Sequence, residues 1–315
     1  MGAAEQTTHR QEAVDVQGFE LYERLGEGTM GVVFRARHLF TDQIVALKVL
    51  YPILAGNLTY LQRFKAEAEA ATHLNHPNLV KVMGYGQRGL THFICMEYVE
   101  GLNLREMLRR EGALSESTVA AIGMCVASAL HYAWETVRLI HRDVKPENLI
   151  VAQDGRLKVC DLGIAKRMAS KPGDAPLTRT GYMLGTPHYI APEQLKGAKE
   201  LDCRVDIYSL GATLFHAITG QTIHTAENEF SLLMKQATEP VRDPRDAMPG
   251  LNHQFAVLLL QMLDLDPARR PPDWCAVYDA LFEIYQKLSA EKTTTQLRVS
   301  KVVAAVQPNP IPTSP

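Results

Sequence analysis

Asp143, Asn148 and Asp161 stand close together in the stretch LIHRDVKPENLIVAQDGRLKVCDLG, which runs from Leu139 to Gly163. An Asn and an Asp held side by side supply hard oxygen ligands of the kind Mg²⁺ takes, and they leave positions for phosphate and water. The runs NLIV and RLKVC are rich in β-formers and flank an Asp154-Gly155 turn signal. A hairpin there brings Asn148 beside Asp161. It leaves Asp143 on the preceding loop, facing an incoming hydroxyl.

Other elements must position these groups. From Phe19 the chain turns β-like, with strand patterns around Tyr22, Val33 and Val45, and it carries a GxGxxG at Gly26, Gly28 and Gly31. A dinucleotide fingerprint needs a helix opening at those glycines. Here Val32, Val33 and Phe34 follow instead, so the glycines sit at a hairpin tip. Such a flap lays backbone N–H groups over phosphates without side-chain clash, and a flexible turn is the competing reading. Lys48 ends the run VALK, a polar head in an apolar strand. The segment YLQRFKAEAEAATHLNHP reads as a helix stopped by Pro77, with Glu67 and Glu69 as acidic candidates. Two positions turn a helix by about 200°, so only one of them faces Lys48. HFICMEYVEG reads as a strand followed by a polar break. SESTVAAIGMCVASALHYAWETV has helical period with Ser115 as N-cap, and the remainder is mainly helical. Residues 164–184 lose all periodicity, as in a long loop.

HRDVKPEN followed by DLG resembles the catalytic loop and metal motif of eukaryotic-like (Hanks-type) bacterial serine/threonine protein kinases. The resemblance covers roughly Phe19 to Leu288. It implies an α+β, two-lobed kinase fold with a small β-rich N-lobe (18–98) bearing one main helix. A larger, mostly helical C-lobe (99–288) follows, and flexible tails (1–17 and 289–315) flank the two. It implies transfer of the ATP γ-phosphoryl group to protein Ser/Thr hydroxyls with Mg²⁺, or Mn²⁺ in its place. Leu25, Gly26, Glu27, Gly28 and Gly31 then cover the nucleotide, and Lys48 grips the α/β-phosphates. Glu67, ten residues before Pro77, holds Lys48. Val33, Ala46 and Leu149 sandwich the adenine, Met96 is the gatekeeper, and the Glu97 and Val99 backbones meet the adenine edge. Core packing is the competing reading for each of these pocket residues. Asn148 and Asp161 hold the metal, Asp143 accepts the hydroxyl proton, and Lys145 neutralises the γ-phosphoryl group.

The same resemblance makes GTPHYIAPE (Gly185 to Glu193) the segment on which a protein substrate docks, with Thr186 near Asp143 and Lys145. It makes Glu193–Arg270 a structural ion pair and Asp206 the anchor of the catalytic loop. Thr178 and Thr180 are phosphorylation candidates whose phosphates pair with Arg142 and Lys166. Thr293 to Thr295 offer a site for a phosphothreonine-binding partner, and a homodimer provides trans-autophosphorylation. Three features depart from the common pattern or stand out. Leu162 replaces a Phe, Ala71 stands where a Leu is common, and Cys160 precedes Asp161.

Composition narrows the alternatives. With 315 residues, 46% hydrophobic and 22% charged, the chain suits one large or two modest globular domains. A formal net charge of −2 gives no field toward nucleic acid or an anionic membrane. Five scattered cysteines without a CxxC pair suit a reducing compartment. No signal peptide or membrane-spanning run is read. The expected location is cytoplasmic, or a domain excised from a longer membrane-anchored or multidomain protein. Two rivals remain. A pseudokinase scaffold is disfavoured because Lys48, Asp143, Asn148 and Asp161 are all present. A small-molecule phosphotransferase is disfavoured by the docking segment.

Overall fold

The computed structural model describes residues 16–28, 30–162 and 187–292; the side chains of residues 59, 60, 63, 67, 291 and 292 stand outside the description. The N-terminal part is an antiparallel sheet of β1 (Phe19–Glu27), β2 (Gly31–His38), β3 (Ile44–Leu50), β4 (Val82–Arg88) and β5 (Thr91–Glu97), in the order β1-β2-β3-β5-β4. Short α1 (Pro52–Ala55) and longer α2 (Leu58–Thr72) follow β3. Phe64, Ala68 and Ala71 recur at helical spacing on α2 and are buried against the sheet. The helix ends at Thr72, short of Pro77, and the segment 75–78 runs on as loop.

Val16 is fully buried on the outer face of the sheet with Phe93, Ala36 and Leu47. That placement groups it with the sheet and not with the polar residues before it. At the other end, the last helix continues to Lys292, beyond Leu288. Ser289, Ala290, Glu291 and Lys292 contain no helix breaker, and three of the four are good helix formers.

The C-terminal part is built on α4 (Glu116–Val137), whose Ser115 N-cap accepts from the Thr118 N–H. By length and composition α4 would cross a membrane, yet most of it is buried inside the protein. It packs against α10 (Trp274–Lys292) and α6 (Arg204–Thr219). Around them lie α3 (Leu104–Glu111), α5 (Pro192–Leu195), α7 (Glu229–Thr238), α8 (Pro244–Ala247) and α9 (His253–Met262). A small second sheet, β6 (Gly101–Asn103), β7 (Leu149–Ala152) and β8 (Leu157–Val159), is stitched to the first part. Asn78 O accepts from Val159 N–H (2.8 Å) and Val159 O from Val80 N–H (2.9 Å). The buried Asn78 amide also donates to Leu157 O (2.8 Å). Those bonds fix β8, and hence Asp161, against the segment that leads from α2 into β4.

Candidate active site

The predicted hairpin forms, with Leu149 opposite Val159 and Gly155 at φ 85° in the turn. The Cys160 N–H donates to Asn148 O (2.9 Å), so the metal-type residues lie at the root of one hairpin. The Asn148 Nδ2 donates to Asp143 O (2.8 Å) and to Asp143 Oδ2 (3.2 Å). Lys145 Nζ lies 3.0 Å from the same Oδ2. Asp143, Lys145 and Asn148 therefore form one polar knot on a single loop.

Asp161 meets a different partner. Its Oδ1 lies 2.6 Å from Lys48 Nζ on β3. Burial pushes the Asp161 carboxyl up, but the charge of Lys48 and its hydrogen bond outweigh it and hold the carboxyl below the ordinary value. Burial likewise works against the Lys48 ammonium, and Asp161 outweighs it, so the Lys48 pKa is raised. Lys48 is 8% exposed, pinned between Val33 on β2 and Ile94 on β5. The expected partner Glu67 lies on α2, and its side chain is outside the description. Glu69 on the same helix is exposed.

The loop before Asp143 is held from below. Asp206 on α6 is buried and accepts from the His141 and Arg142 N–H groups, each at 2.6 Å. This is the anchoring role expected of it. Burial raises its pKa against those bonds. Arg142 and Asp161 both take left-handed backbone, at φ 61° and 56°, a local strain that sits on either side of the site. Arg270 and Glu193 form the expected pair, Nη1–Oε1 at 2.6 Å and Nη2–Oε2 at 2.8 Å.

Sequence reasoning missed several struts. His141 Nδ1 accepts from the Asp143 N–H (3.3 Å) and its Nε2 faces Cys160 O (3.0 Å), the arrangement of an Nε2–H tautomer. One fully buried ring thus spaces the Asp143 loop from the Asp161 strand. Lys158 reaches Glu97 Oε2 (2.9 Å) and Leu79 O (3.2 Å), joining β8 to the end of β5. A Lys in the apolar run RLKVC was the readable signal, as it was for Lys48. Gln194 accepts from the Ala191 N–H (3.1 Å) and donates to Arg142 O (3.4 Å), linking the docking segment to the catalytic loop.

The residues expected to meet the adenine share the main core, with Ala46, Met96 and Leu149 inside it and Val33 and Val99 packed against it. Ala46 pairs with Met96 across β3 and β5, both buried; Leu149 is fully buried, and Val33 is half-buried. Among the described residues nothing accepts from the Val99 N–H. Leu25 is exposed, as are Glu27 and Gly28 at the hairpin tip, and Gly26 is half-buried. A Cβ added at Gly26 or Gly28 meets no described residue within 4 Å. For a metal, Asp161 Oδ2 and Asn148 Oδ1 are the hard oxygens, and neither accepts a hydrogen bond from a described residue. That donor set fits Mg²⁺. Leu162 and Ala71 are buried in the main core. Burial raises the Cys160 thiol far above its ordinary range, making it a poor nucleophile. Thr178, Thr180, Thr186, Lys166 and Thr293 to Thr295 lie outside the described residues.

The chain matches the protein kinase domain family over residues 19–281. It is 41% identical over 254 residues to the serine/threonine-protein kinase pkn3 of Myxococcus xanthus, a match covering 78% of this chain and 46% of that protein. It is 31% identical over 252 residues to the serine/threonine-protein kinase PrkC of Bacillus subtilis, covering 80% and 38%. Among solved structures, the Mycobacterium tuberculosis PknI kinase domain superposes with a TM-score of 0.67 at 29% identity, covering 86% of this chain and 97% of that one. The chain spans less than half the length of these two curated relatives.

Proposed function

The chain belongs to the protein kinase family, with Hanks-type Ser/Thr kinases of bacteria as its relatives, and on that premise we propose that it transfers the γ-phosphoryl group of ATP to Ser and Thr hydroxyls of proteins. The carrying observation is the convergence of Lys48, Asp161, Asn148, Asp143 and Lys145 at the root of one hairpin. Asp161 and Asn148 are the residues that would hold Mg²⁺, which when bound neutralises phosphate charge.

The remaining work falls to this chain's own groups. The Gly26 to Gly31 tip covers the phosphates, and Lys48 pairs the α/β-phosphates. Asp143 orients the acceptor hydroxyl. As the acceptor oxygen bonds to the γ-phosphorus and the bond to the β-phosphate oxygen breaks, Asp143 takes the hydroxyl proton. Lys145, already at that carboxylate, neutralises the transferred group. Positioning and charge supply most of the effect, because the transition state is loose. Protein substrates fit this reading because the docking segment is tied at Ala191 to the Asp143 loop through Gln194. Thr178 and Thr180 are proposed as autophosphorylation sites, with a second copy of the chain as the catalyst that transfers the γ-phosphoryl group of ATP to them. All five cysteines are free thiols, which suits a catalytic domain working in the cytoplasm.

The test is phosphate transfer from labelled ATP and Mg²⁺ to a generic basic protein. Wild type is expected to label it, and Asp143→Asn is expected to lose all but a trace. Equal labelling by both would overturn the assignment. Mass spectrometry of the incubated wild type reads Thr178 and Thr180 directly.

A further inference from the structure

The docking segment needs partners for its backbone. Pro187–Tyr189 form a single 3-10 turn that runs on to α5; the Pro187 and Ala191 carbonyls accept from backbone N–H groups, whereas the carbonyls of residues 188–190 accept from none among the described residues. Two of those carbonyls point to one side chain. The Gln236 Nε2 donates to His188 O at 3.0 Å and to Ile190 O at 3.3 Å. Gln236 is fully buried, and with Leu232 it makes up the buried stripe of α7. Its Nε2 is satisfied by these two bonds while its buried Oε1 has no partner among the described residues, so losing the Nε2 bonds would leave the whole amide buried and unpaired. Between the two bonded carbonyls, Tyr189 turns its hydroxyl the other way, to His216 Nδ1 on α6 at 2.7 Å.

α7 is itself held firmly. Asn228 caps its first turn by accepting from the Ser231 N–H (2.8 Å), and Lys235 ties its last turn to Thr225 O (3.1 Å). The segment is thus clamped between α6 through a side chain and α7 through its backbone. We propose that Gln236 is a positioning residue for the protein substrate. It sets the path of His188 to Ile190, on which the acceptor peptide lies, and makes no contact with the nucleotide residues. This rests on the kinase reading above.

The two readings separate in one set of kinetics, on Gln236→Met, which keeps the volume and removes both donors. The expected result is a rise of about tenfold in the KM for a Ser/Thr peptide. The KM for ATP and the slow transfer to water should stay within about twofold of wild type. A residue that merely held the fold together would move all three. If Gln236→Met does not fold by circular dichroism, Gln236→Asn carries the same comparison, since it keeps the amide but draws it back by one methylene. An unchanged peptide KM, or a parallel loss in ATP KM and water transfer, overturns the role of Gln236. Failure of the wild type to phosphorylate any peptide strikes the kinase reading instead, and this role falls with it.

Discussion

Lys48 Nζ lies 2.6 Å from Asp161 Oδ1, yet the two ends of this ion pair are not equally buried: the Lys48 side chain is 10% exposed and that of Asp161 36%. Removing either should abolish phosphate transfer. Their costs in stability should differ. Asp161→Asn strands an ammonium inside an apolar strand, which is expected to cost about 2–3 kcal/mol, below the range for fully buried pairs because Asp161 is partly hydrated. Lys48→Met leaves a carboxylate that water can reach and should cost less than about 1 kcal/mol. In urea titrations the double variant should resemble Lys48→Met. If Asp161→Asn is as stable as wild type, the pair does not hold the fold as described.

The three glycines of the β1–β2 tip separate into two kinds. A Cβ on Gly31 would stand 1.9 Å from Val49 O, a backbone atom of β3 that cannot swing away. Gly31→Ala is therefore expected to destabilise by about 2 kcal/mol or more. A Cβ on Gly28 would meet no described residue within 4 Å. Gly28→Ala should leave stability within about 0.5 kcal/mol of wild type and raise the KM for ATP. Thermal melts with ATP titrations read both. Equal stability losses for the two variants would mean that the tip packs against something in the folded protein.

Where the sequence was legible, single residues carried both a motif and a physical pattern. The hairpin from Leu149 to Val159 was readable because β-formers flank Asp154-Gly155, and the turn forms with Gly155 at positive φ. Lys48 was readable because a lone charge interrupts an apolar run. Asp206 and the Glu193–Arg270 pair were readable only through family resemblance, since nothing in their local pattern says what they reach. His141, Gln194 and Gln236 were missed for the same reason. Each acts on backbone groups far away in sequence, and a side chain bonded to a remote carbonyl leaves no periodicity to detect. The pairing of Lys48 with Asp161 was likewise invisible, because it depends on how β3 and the hairpin root meet in space.

Arg270 tests how far a structural ion pair supports the docking segment. Its side chain is fully buried against Glu193, and it also donates to Asp264 O (2.8 Å) and Arg204 O (2.9 Å) and stacks over Tyr208 at 4.8 Å. Glu193→Gln leaves a buried guanidinium without its counter-charge, an expected loss of about 3–5 kcal/mol. Melting temperature should fall by about 2–4 °C for each kcal/mol in a chain of this size. Pairing Glu193→Leu with Arg270→Met should recover only part of that loss, because the Asp264 carbonyl loses its Arg270 donor while the Arg204 carbonyl keeps its place in the α6 ladder. Full recovery would show that the Asp264 carbonyl finds another donor.

Two histidines, His216 buried and His76 half-buried, set a pH dependence with a definite sign. Burial, aided by nearby Lys158, pushes His76 down to about 4. Burial, aided by Arg105 and His188, pushes His216 down to about 4 as well. In the unfolded chain a histidine takes its proton near its ordinary value of about 6.5. Between those values the unfolded state binds more protons than the folded one. Stability is therefore full above the ordinary value and falls as pH drops through the window. Each ring contributes a limiting slope of about 1.4 kcal/mol per pH unit there. The urea midpoint should be lower at pH 5 than at pH 7. In His216→Gln, which keeps an acceptor for the Tyr189 hydroxyl, the slope should shrink by up to about one proton. An unchanged slope in that variant would mean that His216 already carries its proton in the folded protein, with the Tyr189 oxygen as acceptor in place of donor.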